Sequence, residues 1–176
     1  MKRLLRPLLI ALVALSLYGC AAVGTQPPAL IGAWKLVSIE SVFLDGEITT
    51  EWMGPKPTGT LHYLPDGHMS LQFMSDPRPR FSEGSGGNRD TFEKEAVAAY
   101  NGYYAYWGRY QFNSETQEIR HHVAGSLRPS EVGRTLVRTV QIDGARLVIT
   151  TPVSKRRGKE VRNRLTFERM DSRSAG

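Results

Sequence analysis

A chain of 176 residues, 40% hydrophobic and with a formal net charge of +6, has the length of one ordinary domain plus a leader. Seventeen glycines and ten prolines, with short apolar runs between them, argue against a helical bundle and for many strands and turns. A single cysteine excludes an internal disulfide, so the fold must rest on its core.

In chain order, Lys2, Arg3 and Arg6 form a basic start and Leu8 to Leu17 an apolar segment about half as long as a membrane-spanning helix requires. Gly19-Cys20 falls at the expected processing point, so residues 1–19 read as a signal peptide. Leu17-Tyr18-Gly19-Cys20 resembles a bacterial lipoprotein lipobox, although Tyr18 replaces the usual small residue. The resemblance implies lipid attachment at Cys20, and Ala21, which is not an aspartate, implies outer-membrane delivery with the protein facing the periplasm. Residues 20–29 read as a tether, 30–170 as the domain and 171–176 as a frayed tail.

Three of the six excess positive charges lie in the leader, at Lys2, Arg3 and Arg6, which leaves three on the rest. Much of that remainder is local, in Lys155, Arg156, Arg157, Lys159, Arg162 and Arg164. In an exported protein this cluster reads as a solvated hairpin loop or a patch facing anionic headgroups, and nucleic acid is not an expected partner.

The domain opens with the apolar, β-branched run Leu30 to Glu40, followed by a turn at Asp45-Gly46 and a proline-containing loop over 51–58. Gly59 to Leu64 and His68 to Met74 flank the hairpin signal Pro65-Asp66-Gly67. From Ser75 to Asp90 prolines and glycines interrupt any ladder, and a loop of this length is often functional. Arg78 and Arg80 lie in it, placed either to close over a cavity mouth or to sit as solvated loop charges. Asp90 or Thr91 is expected to cap a short helix through Tyr100, a candidate lid or end plug.

Asn101 to Leu127 reads as a long aromatic hairpin about the polar turn Asn113 to Thr116. One arm carries Tyr103, Tyr104, Tyr106, Trp107, Tyr110 and Phe112, the other His121 and His122. Arg134 to Ile142, Arg146 to Thr151 and Val161 to Arg169 complete about eight or nine strands with one short helix. The expectation is an all-β, antiparallel barrel or sandwich; a barrel of roughly eight strands leaves an interior for one small ligand.

The chain over about Leu30 to Glu168 resembles the bacterial and fungal family of lipocalin-like domains. The stretches that carry the resemblance are Leu30 to Ser38, Tyr63 to Ser70, Arg78 to Phe81, Tyr103 to Gly108 and His121 to Leu127; Gly32-x-Trp34 echoes true lipocalins. The resemblance implies a calycin-type barrel with an interior cavity, and no settled activity or ligand.

Alternation places polar groups on otherwise apolar faces: His121 with Ile119 and Val123, Arg138 with Leu136 and Val140, and Asn163 with Val161 and Leu165. A few placed polar groups in an apolar lining describe a ligand pocket. Arg138, if buried, needs either a carboxylate, for which Glu40 is the candidate, or a ligand oxygen. The candidate ligand-binding residues are Arg78, Arg80, Tyr104, Tyr106, Trp107, His121, His122, Arg138 and Asn163. Adjacent His121 and His122 point to opposite faces and cannot easily chelate one ion, so no metal is expected, and no other cofactor.

Three readings follow. The first is a lipid-anchored barrel that binds a small hydrophobic molecule. The second is an isomerase or cyclase with His121 as acid-base and Arg138 polarising a carbonyl. The third is a barrel filled by its own side chains that acts through its surface.

Overall fold

A computed structural model describes residues 29–170. The expected signal peptide, Cys20, nearly all of the tether and the tail lie outside the described residues. The elements are β1 (Gly32–Phe43), β2 (Ile48–Thr49), β3 (Thr58–Tyr63), β4 (His68–Met74), α1 (Arg89–Asn101), β5 (Tyr103–Asn113) and β6 (Glu118–Ser126). They continue with β7 (Thr135–Asp143), β8 (Arg146–Thr150), β9 (Ser154–Arg156) and β10 (Lys159–Arg169).

Strands β1, β3, β4, β5, β6, β7, β8 and β10 pair in that order, all antiparallel, and β10 returns to pair with β1. The result is a closed eight-stranded antiparallel barrel with one helix. Closure removes the exposed sheet edge that would invite aggregation. Short strands β2 and β9 extend β1 and β10 at one end.

Period-two alternation turns the apolar set inward: Met69, Leu71 and Phe73 from β4, Tyr104, Tyr106 and Tyr110 from β5, and Leu147 and Ile149 from β8 are all buried. Each fully buried large side chain contributes roughly 1.5–3 kcal/mol through lost apolar hydration. Together they form one contiguous core.

Two bulges shift this alternation. In β1, Leu36 pairs with Phe167 and Ser38 with Thr166, so Val37 is an extra residue without a cross-strand partner. After it Ile39, Ser41 and Phe43 point inward and Glu40 points out, where its Oε2 takes a 2.7 Å hydrogen bond from Arg164 Nε. The expected Arg138–Glu40 pair therefore does not form. In β6, Gly108 pairs with Val123 and Trp107 with Gly125, which makes Ala124 the extra residue. Ser126 thereby comes opposite Tyr106. A Cβ at Gly108 would come within 2.0 Å of the His122 carbonyl oxygen, so the close approach of the two strands at this bulge requires glycine.

The two barrel ends differ. At one end the strands are joined by tight turns, at Pro65-Asp66-Gly67, Asn113 to Thr116 and Gly144-Ala145, and the interior is plugged by Trp34, Tyr63 and Tyr110. At the other end the longer connections gather: β1 to β3 through β2, β4 to β5 through α1, β6 to β7, and β8 to β10 through β9.

Asn88, rather than Asp90 or Thr91, caps α1: its side-chain oxygen accepts from the Thr91 backbone N–H at 3.0 Å. Acting from one residue before the helix, it satisfies a donor that an Asp90 cap would leave inside the first turn. The helix buries none of its residues, and none of them lines the barrel interior. It stands outside the barrel, with Phe92 against Phe81 at 5.8 Å between ring centres, and is not an end plug.

Candidate functional site

The end with the long connections opens into a cavity of about 230 Å³. Its apolar wall comes from β4, β8 and β10, as Leu71, Phe73, Ile149 and Leu165. Tyr104 and Tyr106 from β5, the cross-strand partners of Phe73 and Leu71, and His121 from β6 add polar groups to this lining. Trp52, in the β2–β3 loop, lies edge-on to Phe73 and Tyr104 at 5.4 and 5.7 Å between ring centres. The neighbouring Met53 is fully buried, and this anchors the loop over the mouth.

At the inner end of the wall His121 bridges two tyrosines. Its Nε2 lies 2.8 Å from the Tyr63 hydroxyl and its Nδ1 lies 2.7 Å from the Tyr106 hydroxyl. Burial, reinforced by the positive charge of Arg138 and by His122, lowers the His121 pKa to about 3, so the ring is neutral. Burial also raises the pKa values of the Tyr63, Tyr104 and Tyr106 hydroxyls well above the ordinary value, which keeps all three protonated.

Four charged side chains face the cavity: Arg128, Glu131, Arg138 and Arg156. Glu131 Oε2 accepts from the Tyr104 hydroxyl at 2.9 Å and from Ser126 Oγ at 3.0 Å, and Oε1 lies 3.8 Å from Arg128. Arg128 also lies over the Tyr104 ring, 4.7 Å from its centre. Arg156 donates to Ser41 Oγ at 2.7 Å and to Asn163 Oδ1 at 3.4 Å, and Ser41 in turn donates to Asn163. Arg138 donates to the carbonyl of its own neighbour, Val137, at 2.9 Å, and among the described residues it has no ion-pair partner.

Of the nine candidate ligand-binding residues, Tyr104, Tyr106, His121, Arg138 and Asn163 converge on this one cavity. The other four lie elsewhere. Trp107 is 58% exposed on the outer face, its indole lying against Gly125, because a neighbour of inward Tyr106 must point outward. His122 is outward for the same reason and meets Thr135 Oγ1 at 2.9 Å. Arg78 donates to the Ala99 carbonyl at 3.0 Å and lies over Tyr103, strapping the C-terminal turn of α1. Arg80 is exposed in the same loop and is absent from the cavity wall.

Sequence reasoning missed Trp52, Arg128, Glu131 and Arg156. The first three lie on connections, where no periodicity reports direction. Arg156 sits in the basic cluster that reads as solvated, and its neighbours Lys155, Arg157 and Lys159 are indeed exposed. The turn at Arg157 and Gly158, both at positive φ (51° and 78°), folds β9 back on β10 and carries Arg156 to the rim beside Ser41 and Asn163.

This arrangement can hold a small molecule with an apolar body. It is poorly suited to acid-base chemistry at His121, because both ring nitrogens are already engaged and the ring stays neutral. Among the described residues no three His, Cys, Asp or Glu side chains converge as a metal site would require.

Comparison with known proteins gives one match: the family model described as a lipocalin-like domain covers residues 31–170. No curated protein and no solved structure matches the chain.

Proposed function

The chain belongs to the family of lipocalin-like domains, and on that premise we propose that it binds a small hydrophobic molecule inside its barrel. The observation that carries this reading is the cavity of about 230 Å³ in an otherwise packed barrel, lined by apolar side chains with a few polar groups among them and bordered by residues of the long connections. The same cavity speaks against a barrel filled by its own side chains. We further propose that the protein works from a lipid anchor at Cys20, at the periplasmic face of an outer membrane. The apolar segment at 8–17 and the sequence Leu17 to Cys20 support that placement.

Native mass spectrometry of the full-length protein, followed by organic extraction, tests the binding reading. The expected result is a stoichiometric apolar adduct that is released by solvent. A bare protein mass that stays unchanged after incubation with envelope lipid extract would contradict it.

A further inference from the structure

The proton count of the buried Tyr63–His121–Tyr106 bridge fixes which way it points. A neutral imidazole carries one N–H and one lone-pair nitrogen, so two tyrosine hydroxyls and one ring N–H supply three protons to two hydrogen bonds. One hydroxyl proton is therefore left over. Tyr63 is fully buried, does not line the cavity, and has no other acceptor among the described residues. Leaving its proton unpaired there would carry the full desolvation cost of a buried donor. Tyr63 therefore donates to His121 Nε2, the proton on the ring sits on Nδ1, and Nδ1–H donates to the Tyr106 oxygen. The spare proton is on Tyr106, which is 4% exposed and faces the cavity.

The charges around the cavity point the same way. Three guanidinium groups and one carboxylate face it, and that carboxylate, Glu131, is already engaged by Tyr104, Ser126 and Arg128. The Asn163 oxygen is likewise taken, by Ser41 and Arg156. The unpaired polar capacity is thus almost all donor: the hydroxyl of Tyr106 and most of the N–H groups of Arg138, whose only hydrogen bond among the described residues is to a neighbouring carbonyl. A partly buried guanidinium without an anion is costly to the empty protein, and a planar oxyanion is the group that matches its fork.

We infer that the cavity selects a carboxylate: its ligand is a small amphipathic molecule whose carboxylate is received by Arg138 and the Tyr106 hydroxyl, with its apolar body against Leu71, Phe73, Ile149 and Leu165. This inference rests on the binding function proposed above and adds the charge and chemistry of the head group. His121 does not touch the ligand; it is a positioning residue that fixes the direction of the Tyr106 proton.

The test is isothermal titration calorimetry of the full-length protein, stripped of bound lipid, with octanoate, octanol, octylamine and inorganic phosphate. Octanoate is expected to bind about ten- to a hundredfold more tightly than octanol, the difference a charge-assisted hydrogen bond supplies, with octylamine weakest. Phosphate, which has no apolar body, is expected to bind far more weakly than octanoate. Arg138→Met should abolish the preference for octanoate over octanol and raise the melting temperature of the empty protein. A guanidinium that merely supported the fold would lower that temperature when removed. Tyr106→Phe, which keeps the ring and the Tyr63–His121 bond, should reduce the preference about tenfold.

Equal affinity for octanoate and octanol, unchanged in Arg138→Met, would overturn the carboxylate assignment and leave the barrel a binder of neutral molecules. Phosphate binding as tightly as octanoate would overturn the need for an apolar body. Failure of all four probes, with no extractable adduct, would overturn the assignment together with the binding function.

Discussion

Replacing Trp34 by alanine is expected to lower the unfolding free energy by about 3–5 kcal/mol, the cost of emptying a large, well-packed aromatic site. Trp34 is fully buried at the closed end, and its indole N–H donates to the Leu30 carbonyl at 2.9 Å. The Arg169 guanidinium lies 4.2 Å from the ring centre and donates to the Ile31 carbonyl at 2.8 Å, so strand β10 and the segment entering β1 are tied over one indole. The glycine two residues earlier belongs to the same arrangement. Gly32 has φ +140°, and a Cβ there would come within 2.7 Å of Arg169 Nη1. The glycine of the Gly-x-Trp pattern is thus required chiefly by its backbone conformation, which carries the chain into the barrel floor under Arg169. Trp34→Phe should cost less than the alanine change, chiefly the buried hydrogen bond and part of the ring volume. Urea unfolding at neutral pH gives both values, and a loss under about 1 kcal/mol for Trp34→Ala would mean that the floor is not closed by this residue.

The second large effect is acid sensitivity through His121. In the unfolded chain its imidazole takes a proton near pH 6.5, and in the folded protein only near pH 3. Between those limits the unfolded state binds one proton more than the native state, so stability is full above about pH 6.5 and falls as pH falls toward 3. The slope is about 1.4 kcal/mol per pH unit. The prediction is that between pH 7 and pH 4 the wild-type protein loses roughly 3 kcal/mol more stability than His121→Gln. Glutamine can keep one donor and one acceptor for the two tyrosines but cannot titrate. Acidic side chains such as Asp45 and Asp66, whose pKa values are lowered by Lys159 and by the hydrogen bonds around His68, act in both proteins and cancel in the difference. Parallel acid profiles would show that His121 is not held neutral by burial.

What the sequence disclosed depended on whether alternation ran unbroken. On β7 and on the inner part of β6 it did, and Arg138 and His121 were placed on the inward face from parity alone. On β1 the extra residue Val37 reversed the pattern, so Glu40 faces Arg164 outside and not Arg138 inside. Val37 is an ordinary β-branched strand residue, and nothing in its chemistry marks a bulge. Trp107 and His122 were grouped with the pocket for their aromatic character although their neighbours, Tyr106 and His121, already occupied the inward face. There alternation was the better guide.

The rim was the least legible part, and the reason is physical. Trp52, Arg128 and Glu131 sit on connections whose direction is set by contacts far away in sequence, such as Trp52 with Phe73 and Tyr104, and Arg128 over Tyr104. Arg156 has the same side chain as solvated Arg157 and the same charge as Lys155 and Lys159, and a tight turn aims it differently. The strand pattern and the family resemblance therefore pointed to the barrel, and alternation to part of its inner lining, whereas the charge balance of the cavity had to be read from three-dimensional neighbours.

The most direct measurement of the central claim is a crystal structure of the protein grown with octanoate. The account predicts one molecule inside the barrel, its carboxylate within hydrogen-bond distance of Arg138 and the Tyr106 hydroxyl and its chain along Phe73, Ile149 and Leu165. An empty cavity, or an octanoate lying with its carboxylate turned out past Arg128 into solvent, would contradict it.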